Sequence, residues 1–185
     1  MKILAICPIT NNDKSKDMFH SFRETKSKDT DIVFRLEGTV TEAFNTMFIN
    51  HPDYDFYFMA NDDILFKTKN WDLKLANKGK ISWGSDGIQN ENLPCFPMID
   101  GDIVRALGWL QMSTLNKYCG DVVWNVIGKQ LDILNYCPEV KIEHLWHESQ
   151  VDMDIHKKDM GEFADWLPVS HRDVEKVREA LNGVH

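Results

Sequence analysis

No apolar run in this 185-residue chain approaches the ~18 residues that a membrane-spanning helix needs, so none is expected. The four cysteines, Cys7, Cys95, Cys119 and Cys137, form no CxxC pair, which leaves neither a zinc-ligand spacing nor a disulfide framework. They read as reduced, buried, small hydrophobes. Positive charge is in deficit: 21 Lys and Arg against 29 Asp and Glu give a formal net charge of −8. A nonspecific nucleic-acid binder gains its affinity by neutralising phosphates and would be expected to carry the opposite excess. The one locally basic stretch, Lys14, Lys16, Arg23, Lys26 and Lys28, reads as a solvated helix face and loop. Repeats, low-complexity tracts and Pro/Gly/Ser-rich linkers are missing as well, and a chain of this length most simply makes one domain.

What is present is an ordinary globular composition, 43% hydrophobic with six Trp and ten Phe, which argues against disorder. The opening Met1-Lys2-Ile3-Leu4-Ala5-Ile6-Cys7-Pro8 is too short an apolar region for a signal peptide. It reads as a first β-strand, and the chain as cytoplasmic. A helix over residues 14–27 follows, then a strand over 31–36. Thr41 is an N-cap candidate for a helix over 42–50, which His51-Pro52-Asp53 ends. Phe56 to Ala60 is an almost wholly apolar strand, of the kind buried on both faces. A short helix over 70–78, a strand over 81–84, helices over about 102–112 and 120–130, and a strand near 140–142 complete the domain, expected over residues 1–155. Residues 156–185 read as a mobile tail with one helix, at about 171–182.

Strands alternating with helices indicate an α/β fold around a mainly parallel sheet. Ligands of such sheets bind beyond the carboxyl ends of the strands. Asn61-Asp62-Asp63 directly follows the apolar third strand and belongs on that edge. Asn and Asp favour turns for local reasons, so a solvated turn accounts for the triplet taken alone. Adjacent carboxylates at a strand end also suit a divalent cation, and Mg²⁺ or Mn²⁺ joins carboxylate oxygens to phosphates. The placement ahead of Ile64-Leu65-Phe66 and Trp71 favours the ligand site.

Tyr57-Phe58-Met59-Ala60-Asn61-Asp62-Asp63-Ile64, with Asn70-Trp71-Asp72-Leu73 beyond it, resembles the DxD segment of family 2-type glycosyltransferases of GT-A fold. The resemblance extends in element order over roughly the first 150 residues, and is greatest to compact single-domain members from phages and bacteria. It implies a GT-A-like three-layer sandwich and a metal-dependent, inverting glycosyltransferase that takes its sugar from a nucleotide-sugar donor such as a UDP-sugar. It implies that Asp63 binds Mn²⁺ or Mg²⁺, and that Asn61 and Asp62 face the ribose, metal or donor sugar. Asn61 stands where the usual motif has its first aspartate. Thr10 and Asn11 match the loop that holds the nucleotide base, and Asn45 an asparagine near the donor.

Inverting transfer needs a carboxylate to deprotonate the acceptor hydroxyl. The resemblance puts that base near the start of a helix in the second half, where Gly120-Asp121-Val122-Val123-Trp124 fits. Asp121 is equally suited to capping that helix, and Asp100 and Asp102 are competing bases. The family also supplies a histidine after its last core strand as a further metal ligand, which matches His144, with His147 as the alternate. Trp83-Gly84-Ser85-Asp86-Gly87 should border the donor sugar or acceptor. Small phage members glycosylate hydroxymethylated pyrimidines in DNA, which makes modified DNA one acceptor class. Two other readings stay open. Nucleotidyl transfer also uses strand-end carboxylates, but Cys7-Pro8-Ile9-Thr10-Asn11-Asn12 lacks the glycines of a phosphate loop. A non-catalytic domain that only binds a sugar nucleotide is the other.

Overall fold

The computed structural model describes residues 1–9, 12–35, 38–145 and 151–183. Seven strands form one mixed sheet: β1 (Ile3–Pro8), β2 (Thr30–Arg35), β3 (Phe56–Met59), β4 (Ile64–Phe66), β5 (Ile81–Ser85), β6 (Met98–Asp100) and β7 (Leu134–His144). Their order is β2-β1-β3-β6-β5-β7-β4. Strands β1, β2, β3, β5 and β7 share one direction, while β6 runs against β3 and β5, and β4 against β7. The result is an α/β fold on a mixed, mostly parallel sheet.

Alternation along β1 shows how the sheet is covered. Ile3, Ala5 and Cys7 enter one apolar cluster with Met18 and Phe22 of α1 (Asn12–Thr25) and Trp71 and Leu75 of α3 (Trp71–Ala76). Leu4 and Ile6 enter another with Phe44 and Phe48 of α2 (Val40–Asn50), Ile103 and Val104 of α4 (Gly101–Leu107), and Val123, Trp124 and Ile127 of α5 (Gly120–Leu131). Successive strand residues point to opposite faces, so a fully buried β1 must be apolar throughout, as it is. Trp71 lies at the centre of the first cluster, its ring 4.5 Å from both Phe58 and Phe66.

Local chemistry sets several boundaries differently from expectation. Helix α2 begins two residues earlier, because Thr39 rather than Thr41 is its N-cap. Thr39 accepts from Glu42 N–H while Glu42 accepts from Thr39 N–H, closing a capping box. Thr41 is buried and accepts a hydrogen bond from Gln111. Helix α4 stops at Leu107, since Gly108 takes the left-handed conformation (φ 77°) that ends helices. Strands β4 and β6 were not expected, and β7 starts at Leu134, well before Val140. The tail also differs. It holds α6 (Met153–Trp166) as well as α7 (His171–Leu181), and Trp166, Val174 and Val177 are buried in the core around α4 and α5. No helix among the described residues is long and apolar enough to cross a membrane.

Candidate active site

Because β3, β5 and β7 are parallel, their carboxyl ends reach one edge of the sheet, together with the start of the antiparallel β6. Asn61-Asp62-Asp63 is the tight turn that leaves β3 and starts β4. Asp86 follows β5, Cys95-Phe96-Pro97 leads into β6, and His144 ends β7. A cavity of about 550 Å³ opens between these segments and the amino end of α5. Asn61, Asp62, Asp63, Asp121 and His144 all line it, although the sequence separates them by as many as 83 positions. Pro8, Val40, Phe44, Met59, Ile88, Leu93 and Phe96 supply apolar wall. Among the described residues, Lys117 contributes the cationic side chain of the lining.

Strand register sets the acidic turn against the histidine. Ile64 pairs with His144 across β4 and β7. Leu145 N–H donates to the Asp63 carbonyl at 2.8 Å, and His144 N–H to the Asp86 carbonyl at 3.0 Å. The side chains then meet, with His144 Nε2 3.7 Å from Asp63 Oδ1 and both groups mostly shielded from solvent. That separation suits two adjacent donors on one cation, whose bonds to imidazole nitrogen or carboxylate oxygen run about 2.0–2.2 Å. Among the described residues no three His, Cys, Asp or Glu side chains form a ready metal cluster. The pair offers one carboxylate and one imidazole donor to a divalent cation.

Asp121 sits in the first turn of α5, one residue inside Gly120, and its Oδ1 accepts from Val122 N–H at 2.8 Å. The N-cap position belongs to Cys119, in the left-handed region at φ 67°. Burial pushes the Asp121 carboxyl up from the usual 3.8 to about 6, and the nearby Asp86 charge adds to this, while hydrogen bonds and His144 act the other way. A carboxylate with that value is ionised at neutral pH yet takes a proton more readily than a solvated aspartate.

The remaining candidates fall elsewhere. Asn45 does not line the cavity. Its Oδ1 accepts from Leu110 and Gln111 N–H, both at 2.9 Å, and its Nδ2 donates to the Gln111 carbonyl at 2.7 Å. It therefore fixes the backbone of Gln111, which does line the cavity. Asp100 caps α4 and binds Lys80, and Asp102 pairs with Arg105. Both lie at the end of β6 that pairs with the start of β3, the sheet edge away from the cavity. Thr10, Asn11 and His147 lie outside the described residues.

No protein-family model matches this chain, and no curated protein does. Solved structures do. The catalytic domain of Drosophila beta1,4-galactosyltransferase 7, determined with xylobiose, superposes with a TM-score of 0.56 at 9% identity, over 82% of this chain and 73% of that one. A197 from STIV superposes with a TM-score of 0.52 at 14% identity, over 80% of this chain and 87% of that one. At such identities the likeness is one of fold. The fold is similar to that of both the galactosyltransferase catalytic domain and A197.

Residues 83–87, expected to border the donor sugar or acceptor, are not in the cavity lining, and Asp86 acts from behind it. It is buried, and its Oδ1 accepts three backbone N–H groups, from Ile88, Gln89 and Asn90, at 2.7–3.1 Å. The carboxylate thereby fixes the loop that carries Ile88 and Gln89 to the cavity. The signal for it was an Asp at a strand's carboxyl end followed at once by Gly87, a turn pattern with a carboxylate to spare. Cys95 and Cys119, expected as core, also reach the cavity wall. Burial leads in raising both thiols, Cys119 to about 11, so neither is an activated nucleophile.

Proposed function

We propose that this protein is a metal-dependent, inverting glycosyltransferase of GT-A-like three-layer architecture, which moves a sugar from a nucleoside-diphosphate donor to an acceptor hydroxyl. The observation that supports it is the meeting of Asp63, His144 and Asp121 in one cavity at the carboxyl edge of the sheet. Asp63 and His144 would hold Mn²⁺ or Mg²⁺. Bound there, the cation would offset the charge that develops on the departing diphosphate. Asn61 and Asp62 face the donor, and the Lys117 ammonium adds positive charge to a cavity otherwise dominated by carboxylates.

Asp121 is the base. It takes the proton of the acceptor hydroxyl as that oxygen bonds to the anomeric carbon. The bond from that carbon to the diphosphate oxygen breaks in the same step, and its electron pair leaves with the diphosphate. Attack opposite the leaving group inverts the anomeric centre. A carboxyl near 6 matches this duty at neutral pH.

Thermal denaturation with UDP, GDP and UDP-sugars, with and without Mn²⁺, tests the reading. A nucleoside diphosphate that stabilises the protein only with the metal, and loses that effect in Asp63→Ala, supports it. No response to any of them would overturn it. Sugar release from UDP-glucose or UDP-galactose, followed with a panel that includes glycan and 5-hydroxymethylpyrimidine DNA acceptors, then identifies the acceptor. Pyrophosphate release from nucleoside triphosphates would mark nucleotidyl transfer instead, and metal-dependent binding without turnover a binding domain.

A further inference from the structure

Helix α6 carries a carboxylate whose partners all lie a few residues before the proposed base. Asp159 is fully buried, and four hydrogen bonds converge on it from one short turn. Asn116 N–H and Asn116 Nδ2 donate to its Oδ1 at 2.9 and 2.8 Å, and Lys117 and Tyr118 N–H donate to its Oδ2 at 2.8 and 2.7 Å. A buried carboxylate normally needs a cation or several donors, and here backbone amides supply them. Burial alone would raise this carboxyl, but the bonds from Asn116, Lys117 and Tyr118 hold it below its usual range.

Further contacts hold the turn from both sides, among them Thr41 N–H, which donates to the Asn116 carbonyl at 3.1 Å. Tyr118 Oη accepts from Asp152 N–H at 2.9 Å, and its ring meets His156 edge-on. Cys119 Sγ lies 3.4 Å from Met160 Sδ. From the other side, Gln111 Nε2 donates to Thr41 Oγ1 at 2.7 Å and lies 3.5 Å from the Lys117 carbonyl. A Cβ on Gly120 would come within 2.9 Å of Gln111 Oε1, so the turn fits closely between α6 and Gln111. Lys117, Tyr118, Cys119, Gly120 and Asp121 are consecutive, and all five line the cavity.

We infer that Asp159 is a positioning residue: it locks the Asn116–Tyr118 turn so that Lys117, Tyr118 and Asp121 are presented to the cavity. On this assignment α6 is part of the catalytic apparatus and not an appendage. Three backbone amides and one side-chain amide depend on a single carboxylate, so loss of its charge weakens four of the turn's bonds at once. Asp121 begins three residues beyond the last of them, close enough that a shift of about 1 Å would separate base from acceptor, a misplacement that costs on the order of 10²-fold in rate. The inference rests on the glycosyltransferase reading for the nature of the reaction, but not for the clamp itself.

The test compares Asp159→Asn with Asp173→Asn in the full chain. Asp173 accepts from Trp166 Nε1 at 3.0 Å and ties α7 to the end of α6 without touching the turn. Hydrogen exchange of the amides of residues 116–118 should quicken at least tenfold in Asp159→Asn and stay unchanged in Asp173→Asn. In Asp159→Asn, kcat with UDP-galactose or UDP-glucose should fall at least tenfold, more than KM for the donor rises, and the Mn²⁺ requirement of the UDP thermal response should be retained. Asn116→Ala removes only the side-chain bond and should give a smaller loss, which keeps the test open if Asp159→Asn folds poorly. Unchanged exchange in Asp159→Asn, or equal losses of turnover in Asp159→Asn and Asp173→Asn, would overturn the assignment. Failure of the parent protein to respond to UDP and Mn²⁺ would instead remove the glycosyltransferase reading and leave the exchange result standing.

Discussion

Asp121→Asn separates what the candidate base does from what it costs the fold. The substitution is nearly isosteric, and the amide oxygen can still accept from Val122 N–H, so packing at the start of α5 is preserved. The charge is what disappears. Folding raises the carboxyl from 3.8 to about 6, and each pKa unit is worth about 1.4 kcal/mol, so the ionised form costs the folded state up to about 3 kcal/mol. The sign follows from the direction. A raised carboxyl destabilises the native state above its folded pKa, and that penalty fades as pH drops from 6 toward 3.8. Asp121→Asn should therefore be more stable than the parent protein at pH 8, with the gap about half as large by pH 5.

Urea denaturation of both proteins at pH 5, 6, 7 and 8, with EDTA so that no cation compensates the charge, reads the difference directly. Turnover should fall about 10²–10⁴-fold in the variant, the usual contribution of a positioned general base. In the parent protein, turnover should decline below about pH 6 as Asp121 takes up its proton. A stability gap that ignores pH, or that widens as pH falls, would show that Asp121 is paired and solvated. Full activity in the variant would remove it from the base position altogether.

Three further outcomes follow from the packing and the site. His144→Ala should weaken the Mn²⁺ dependence of nucleotide stabilisation on the order of tenfold or more, read from Mn²⁺ titrations, while leaving the metal-free melting temperature almost unchanged. Trp71→Ala removes the ring at the centre of the cluster formed by Phe22, Phe58 and Phe66 and should cost about 3–5 kcal/mol in urea denaturation. Thr39→Ala opens the capping box of α2 and should cost about 1 kcal/mol by the same measurement, whereas Thr41→Ala should act through the buried Gln111 bond instead.

The parts legible in the sequence were those that local chemistry decides. Strand β1 is apolar at every position because both its faces are covered, whereas a half-exposed strand would alternate with polar residues. The acidic turn could be placed at the carboxyl edge of the sheet because the direction of β1, β2 and β3 follows from alternation with helices. Short or interrupted patterns were not legible. Strands β4 and β6 are three residues each and are recognised only by their antiparallel partners. Pro138 interrupts β7, and Gly161 sits inside α6 with a sparse apolar stripe, so neither element announces itself. Asn45 illustrates the other limit. An asparagine on a helix ahead of the acidic strand suits a ligand contact, but three bonds to a distant backbone segment already occupy its amide, and no local signal reveals that partner.

The same distinction shows why the acidic turn and the histidine belong to one site. Neither residue determines the 3.7 Å between Asp63 and His144; the pairing of β4 with β7 does, and β7 is held in turn by β5. The pairing of β5 with β7 shifts register between Gly84 and Ser85, which pairs Gly84 with Cys137 and Ser85 with Lys141. A side chain at Gly84 would meet the Val140 carbonyl at 2.5 Å, so only glycine lets β7 pass this closely. Beyond that crossing the Asp86 carbonyl receives His144 N–H, and the imidazole comes to face the acidic turn. The histidine thus owes its place to a glycine on another strand, 60 residues earlier in the chain. A cation between Asp63 and His144 would bind the product of that register, and its affinity would report on β5 and β7 packing as much as on the two ligands themselves.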